Sequence, residues 1–377
     1  MRTLRFTGLE GLRALREPWL SLHASADLYA RYEWHLACAT YLPGRASSQA
    51  YIQVLEGERT IAIVPAIVSH LSVPCLGGLR ALGPVLHEHL ELGDFPLASD
   101  ARVEDVATAL RAAFAAWPER WDVLHWPRVL GSSNVMRLAR ALDARATAIV
   151  PREPCDIIDT RRSLPEFLAN CSKNLRASLR KSQKRLEQSG GARIVRNAVP
   201  GGSKDATEAL DAAYEAFLTI EASGWKGRAD AGSAIALDPS ARAFYAGLLA
   251  LRSADFSPEV TLLARGSTPI AAQFSVCVNG CKHVLKIGYD ESESRFSPGQ
   301  VLMAGVLEAA SGGALRRLDL VTDEPWHQAW RPLAEPAFRV VAFRRRWRAT
   351  LYRACTAVRS AAKSALLAHR RRRPADA

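Results

Sequence analysis

Cysteine is sparse and unpaired by pattern: seven residues, an odd number, are scattered over 377 positions. That argues against a disulfide framework and for a reducing, cytoplasmic setting. No apolar run approaches the length needed to cross a bilayer. The opening MRTLRFTGLEGLRALREPWL is broken by charges before an apolar core develops, so no secretory signal is expected. Metal-ligand pairs of useful spacing are also missing. Cys277 and Cys281 flank Asn279-Gly280, a two-residue hairpin turn, which puts them on opposite strands as small buried hydrophobes. His87-Glu88-His89 has no second ligand pair nearby, so a loop without metal is expected there. Acid is absent from Arg339 to Arg373, a stretch with twelve Lys/Arg.

What is present suffices for two cores, since 48% of the residues are hydrophobic. The net charge of +12 is concentrated in two elements. One is the terminal stretch just named; the other is Arg161 to Glu187, with eight Lys/Arg against two acids. The rest of the chain is mildly acidic. Within 161–187, Ser163-Leu164-Pro165-Glu166 is a capping box opening a helix that runs to Ser189. Lys173, Arg176, Arg180 and Lys184 form a single-sign stripe on that helix, suited to a polyanion: a coenzyme phosphate, a nucleotide-linked sugar, RNA or acidic lipid.

The stretch from Cys281 to Trp330 carries the chemistry. His283 to Tyr289 alternates like a strand, and Val301 to Ala310 keeps a helical stripe. Between them Ser297 fits an N-cap, Pro298 the first helical position, Gly299 the second and Gln300 the third, an S-x-x-Q capping box. Gly299 lets a ligand approach the first-turn N–H groups at the positive end of the helix, which defines an anion site. Leu315 to Val321 returns as a strand ending in Asp319, with Asp323 and Glu324 beyond. This layout suits a nucleotide-type cofactor at one end of a sheet.

The G-Y-D, S-P-G-x-x-L, L-D-L and W-H-x-x-W elements resemble the CelD/BcsL-type acetyltransferases of the GNAT superfamily, over roughly Ile157 to Arg345. The resemblance implies an α/β (α+β) fold of two tandem GNAT-like domains, each a mixed, mostly antiparallel sheet flanked by helices. The first would span 1–155 without a cofactor site, the second 156–345, and a basic amphipathic tail 346–377. It implies acetyl-CoA or another acyl-CoA as co-substrate, without metal, and direct transfer to a sugar, polysaccharide precursor or related polar acceptor. Ser297, Pro298, Gly299 and Gln300 would take the pyrophosphate, and the backbone of Lys286, Ile287 and Gly288 the thioester. Trp225, Lys226, Asp290, Trp326 and Trp330 would contact the acceptor. Either Asp319 or His327 could be the base, and Tyr289 the acid for the thiolate. Where the family commonly has Tyr-Lys, this chain has Trp326-His327; Asp323 or Glu324 would be the partner of that histidine.

Other elements follow the same reading. Glu10 to Leu42 is expected as helix, with Trp19, Tyr29, Tyr32 and Trp34 in the core. Ala50 to Leu71 is a hairpin, with Pro65 marking an edge or bulge. In the tail, Trp347, Leu351, Cys355, Val358, Ala362 and Leu366 form a stripe fit for an anionic membrane surface, with Trp347 and Tyr352 at the interface. Nucleic acid is the less favoured partner, although the peptidoglycan-bridge transferases, which use aminoacyl-tRNA, share the doubled architecture. A non-catalytic scaffold of polysaccharide synthesis at the inner face of the membrane is the remaining alternative.

Overall fold

The computed structural model describes residues 1–358 except 23–26, 43–48, 74–75, 91, 198–203, 229–231, 312 and 314. The first half runs β1 (Arg2–Thr7), α1 (Gly8–Ala14), α2 (Arg16–Leu20), α3 (Tyr32–Tyr41), β2 (Ala50–Glu56), β3 (Arg59–Val73), β4 (Gly77–Gly83), α4 (Val103–Ala115), β5 (Val123–Leu130), α5 (Asn134–Ala141) and β6 (Thr147–Asp159). The second runs α6 (Leu164–Asn170), α7 (Lys173–Gln188), β7 (Ala192–Asn197), α8 (Lys204–Ser223), α9 (Pro239–Ala250), β8 (Phe256–Arg265), β9 (Thr268–Val278), β10 (Cys281–Tyr289), α10 (Pro298–Ala310), β11 (Arg317–Asp319) and β12 (Leu333–Phe343). A last helix, α11, occupies 346–358.

All strands join one sheet in the order β1-β2-β3-β4-β5-β12-β6-β11-β10-β9-β8-β7. The order is the same pattern read from either end, with β6 and β12 exchanged at the centre. In each half one pair is parallel, β4 with β5 and β10 with β11, and a helix connects its strands, α4 or α10. The remaining pairs are antiparallel, so the expected doubled mixed sheet is present. The expected boundary at 155/156 falls inside β6, and β12 pairs with both β5 and β6.

Local sequence explains the turns. Asn279 and Gly280 both take positive φ (49° and 73°) and bring Val278 opposite Cys281, as a tight hairpin requires. Gly57, at φ 59°, turns β2 into β3. Pro65 lies on neither an edge strand nor a bulge, because β3 sits between β2 and β4. It is tolerated because the Ile63 N–H on its far edge bonds Pro96, while pairing with β4 begins only at Ile67.

Two helical expectations break. The stretch from Glu10 opens as α1 but is divided into three helices and is preceded by β1. The helix expected to run unbroken to Ser189 stops at Asn170 and restarts with Ser172, whose side chain accepts the Leu175 N–H at 3.1 Å. The Ser163–Glu166 capping box does form, with Glu166 accepting the Ser163 N–H at 3.0 Å.

The halves share a core. Tyr29, Trp34 and Cys38 of the first pack with Phe217, Phe244, Tyr245 and Phe274 of the second, and Gly247 of α9 lies directly against the Tyr41 ring. Each large apolar side chain fully buried there contributes about 1.5–3 kcal/mol, so this contact is a core rather than a hinge. Buried Arg31 reinforces it through Asp255 at 2.5 Å.

Candidate active site

Strands β10 and β11 pair over only three positions, Cys281–His283 against Arg317–Asp319. Beyond them β10 continues to Tyr289 along β9, irregular between Val284 and Lys286, while the chain after Asp319 turns away. Val321 sits at the parting with φ 63°, a costly conformation for a β-branched residue. The Asp319 carboxylate fixes it by accepting the Val321 N–H at 2.8 Å. The fork holds a cavity of about 490 Å³, bounded by β10 on one side and by residues 320–327 on the other.

His327 lies in this cavity wall, and its Nδ1 is 2.9 Å from Oδ2 of Asp156. With Nδ1–H given to the carboxylate, Nε2 is the nitrogen left to take a proton, and the Thr322 backbone, also in the cavity wall, is within hydrogen-bonding reach of the ring. The Trp326 ring edge packs on the imidazole at 4.2 Å, and the His327 N–H bonds Glu324 O at 2.9 Å. Burial pushes the His327 pKa below its ordinary value, with Asp156 opposing, which favours the neutral ring. Burial likewise raises the Asp156 carboxyl, with His327 opposing. The partner is therefore Asp156, not Asp323 or Glu324. Sequence reasoning missed it because it stands 171 residues away, in β6, where it reads as an ordinary strand residue.

The residues named from sequence divide into two groups. Trp225, Lys226, Lys286, Ile287, Gly288, Tyr289, Trp326 and His327 all line the cavity. The rings of Trp225, Tyr289 and Trp326 are exposed around it. Lys226 is a strut: its Nζ donates to the Ile287 carbonyl at 3.0 Å and lies 3.2 Å from Glu221. Gly288 is required because a Cβ there would meet the α8 backbone, 2.8 Å from Glu221 Cα.

The other group lies elsewhere. Asp319 is fully buried, 3.2 Å from His283, and is not among the residues lining the cavity, against its expected role as base. His283 in turn is 2.9 Å from Asp27; burial opposes its charge, yet Cys281, Asp27 and Asp319 hold its pKa well above the usual value. Trp330 is buried and stacks on Phe167, and Asp290 caps the following turn by accepting the Ser292 N–H at 2.9 Å. Neither contacts the cavity.

The S-x-x-Q box does not form. Ser297 is left-handed (φ 46°) with no side-chain cap, and Gln300 Oε1 instead accepts from Ser178 Oγ of α7 at 2.8 Å. The N–H groups of Gln300 and Val301 both bond the Ser297 carbonyl, and Pro298 has none, which leaves Gly299 as the first-turn donor. Gly299 is exposed and stands 3.8 Å from the Tyr289 ring, measured from where its Cβ would lie. Arg265 and Arg295 lie over Phe296, at 5.5 and 4.6 Å, just before this helix start. Helix polarity, the exposed Gly299 and the Arg295 guanidinium thus suit the phosphates of a coenzyme thioester, while the Arg265 guanidinium is paired with Glu293 at 2.6 Å.

The cations of α7 line a second groove of about 660 Å³ with Leu164, Leu168 and Gln183, where Lys173, Arg176 and Arg180 gather. Residues 87–89 form a loop, and Glu88 and His89 line the fork cavity; Asp238, distant in sequence, brings a third ligand-type group within 4.8 Å of theirs, which the spacing alone did not offer. Burial and Lys286 push the His89 pKa down to about 4.

Residues 173–329 match the family model described as "Acetyltransferase (GNAT) domain". That segment, under half of the chain, holds most of the fork, and by this match it is a GNAT-type acyltransferase domain. Among solved structures it is similar in fold to FemX, at 12% identity and a TM-score of 0.53, over 90% of this chain and 97% of that one. A conserved protein of unknown function from Bacteroides thetaiotaomicron VPI-5482 is similar at 11% identity and a TM-score of 0.51, over 88% and 97% of the two chains. The C-terminal DUF2156 domain of a putative lysylphosphatidylglycerol synthetase from Agrobacterium fabrum aligns at 10% identity and a TM-score of 0.49, over 92% and 95%. No curated protein sequence matches significantly. Among the described residues no helix is long and apolar enough to cross a membrane.

Proposed function

We propose that this chain transfers an acyl group from acyl-CoA to an amine or hydroxyl of a sugar-like acceptor, as a CelD/BcsL-type enzyme of polysaccharide biosynthesis. The Asp156–His327 pair in the open fork carries the reading, because a neutral, carboxylate-oriented imidazole facing a cavity is the equipment of a general base. Gly299 and Arg295 would hold the donor's phosphates, and the stretch of β10 from Lys286 to Gly288, which has parted from β11 after His283, would face its thioester. Bound there, acyl-CoA supplies an activated acyl group. His327 Nε2 takes the acceptor's proton, and Asp156 stabilises the imidazolium that forms. Tyr289, at the rim, would return a proton to the departing thiolate. The exposed rings of Trp225, Tyr289 and Trp326 offer apolar faces to the C–H faces of a sugar while leaving its hydroxyls to solvent.

A second reading, aminoacyl-tRNA-dependent transfer, is favoured by the cationic groove along α7. Titration calorimetry with acetyl-CoA, longer acyl-CoAs and charged tRNA separates the two. Saturable acyl-CoA binding, weakened about 10-fold in Gly299→Asp, is expected; binding of charged tRNA without any acyl-CoA would overturn the first reading in favour of the second.

A further inference from the structure

Helix α11 is held to the body by one face only. Ala349 and Tyr352 are buried, with Tyr352 packed 5.5 Å from Phe343 rather than standing at an interface as its sequence suggests. Arg346 pairs with Asp143 and Arg348 with Asp122, both at 2.8 Å, and Arg353 donates to the carbonyls of Ala144, Arg145 and Thr147. These bonds fix the rotation of the helix about its axis. The outward face then presents Trp347, Leu351 and Val358, which are 55%, 37% and 69% exposed. At 3.6 residues per turn the three fall within about 40° of arc, so they form one apolar line along the helix. Ala362 and Leu366, the continuation expected from sequence, lie outside the described residues.

We infer that this face docks on an anionic lipid surface. The charge selects the occupant: the sequence from Arg339 to Arg373 has twelve Lys/Arg and no acid, and while Arg346 and Arg348 are paired to the body, Arg344 and Arg345 are exposed at the start of the helix. An apolar stripe on an acid-free helix with exposed cations at its start is the pattern of an interfacial helix. Topology adds a consequence. Strand β10 is parallel to β11, β11 antiparallel to β6, and β6 antiparallel to β12, so β10 and β12 run the same way. The open end of the fork and the end of β12 that leads into α11 therefore lie at the same end of the sheet. Docking through α11 brings the cavity toward the surface, and an acceptor carried on a lipid would meet it there.

The test is co-sedimentation of the full chain with vesicles of 70% phosphatidylcholine and 30% phosphatidylglycerol, and with phosphatidylcholine alone. It is run beside a Trp347→Ser/Leu351→Ser/Val358→Ser variant, whose buried contacts and arginines are intact. The chain should bind the anionic vesicles and not the neutral ones, with binding weakened as salt rises. The variant should bind at least 10-fold less while its thermal transition and its acyl-CoA binding are unchanged. Equal binding by the variant, or no binding by the parent chain, would overturn the inference. So would a concentration-dependent dimer that the variant abolishes, which would make a second copy the occupant. Because acyl-CoA binding is read separately, failure here is distinguishable from failure of the proposed reaction.

Discussion

The two halves of the sheet begin with the same device, a short parallel pair joined through a helix, and end with opposite uses of it. In the first half Ala81 and Leu82 pair with Val123 and Leu124, and Gly83 then lies directly against the His125 carbonyl, so the strands stay together. Trp126 and Phe95 fill the space beyond with core. In the second half β10 and β11 part after His283, and the gap is walled by polar and aromatic side chains. A glycine contact holds the first pair together, while strained Val321 turns the chain out of the second, where the cavity lies.

The most severe test of that contrast is His327→Gln, which should lower kcat by roughly 10²-fold or more with little change in stability. The pH–rate profile sharpens it. Because burial lowers the His327 pKa below 6.5, the neutral base persists below that pH, and activity should fall only as pH drops through the lowered value. Asp156→Asn removes the group that raises that pKa, so the acidic limb should move further down as kcat falls about 10-fold. An unchanged limb and turnover in both variants would leave the fork without a base.

A matched pair of glycine substitutions follows. Gly83→Ala should destabilise the protein by about 1–3 kcal/mol, because the new methyl must displace the His125 carbonyl. Gly288→Ala should cost a similar amount by driving α8 off β10, but it should also lower activity by deforming the fork. Urea unfolding and steady-state rates at matched folded fraction check this; equal specific activity in both would erase the functional difference between the forks. The smallest effect is expected from Gly299→Asp, about a 10-fold rise in the donor KM with unchanged melting, since the residue is exposed and only anion binding is opposed.

Much of the fork was legible in sequence because its parts are local. The Asn279-Gly280 turn sets the start of β10, Pro298 sets that of α10, and the residues from Lys286 to Tyr289 and from Trp326 to His327 follow in fixed register. What failed was decided by partners distant in the chain. Gln300 looks like a cap from its spacing, yet a serine on α7 claims its side chain. Asp319 looks like a strand-exit carboxylate until His283 and Val321 take it into the core. Asp156 gave no local signal. The exchange of β6 and β12 is likewise invisible to periodicity, because either strand would pattern identically in either place.

That exchange governs how the chain can reach its native state. Until β12 has been synthesised, β5 and β6 each expose an edge that its backbone will later occupy. A chain emerging from its N-terminus must carry those edges through the making of nearly two hundred further residues, the circumstance in which strands recruit wrong partners. The closing contacts join positions far apart in sequence, Leu130 with Ala337 and Val123 with Phe343, so completion of the sheet is late and slow in folding. Neither half is then an autonomous folding unit. Cutting between residues 155 and 156 severs β6 and separates β12 from β5, whereas the surface turn at Gly57 can be nicked without parting any strand from its neighbours.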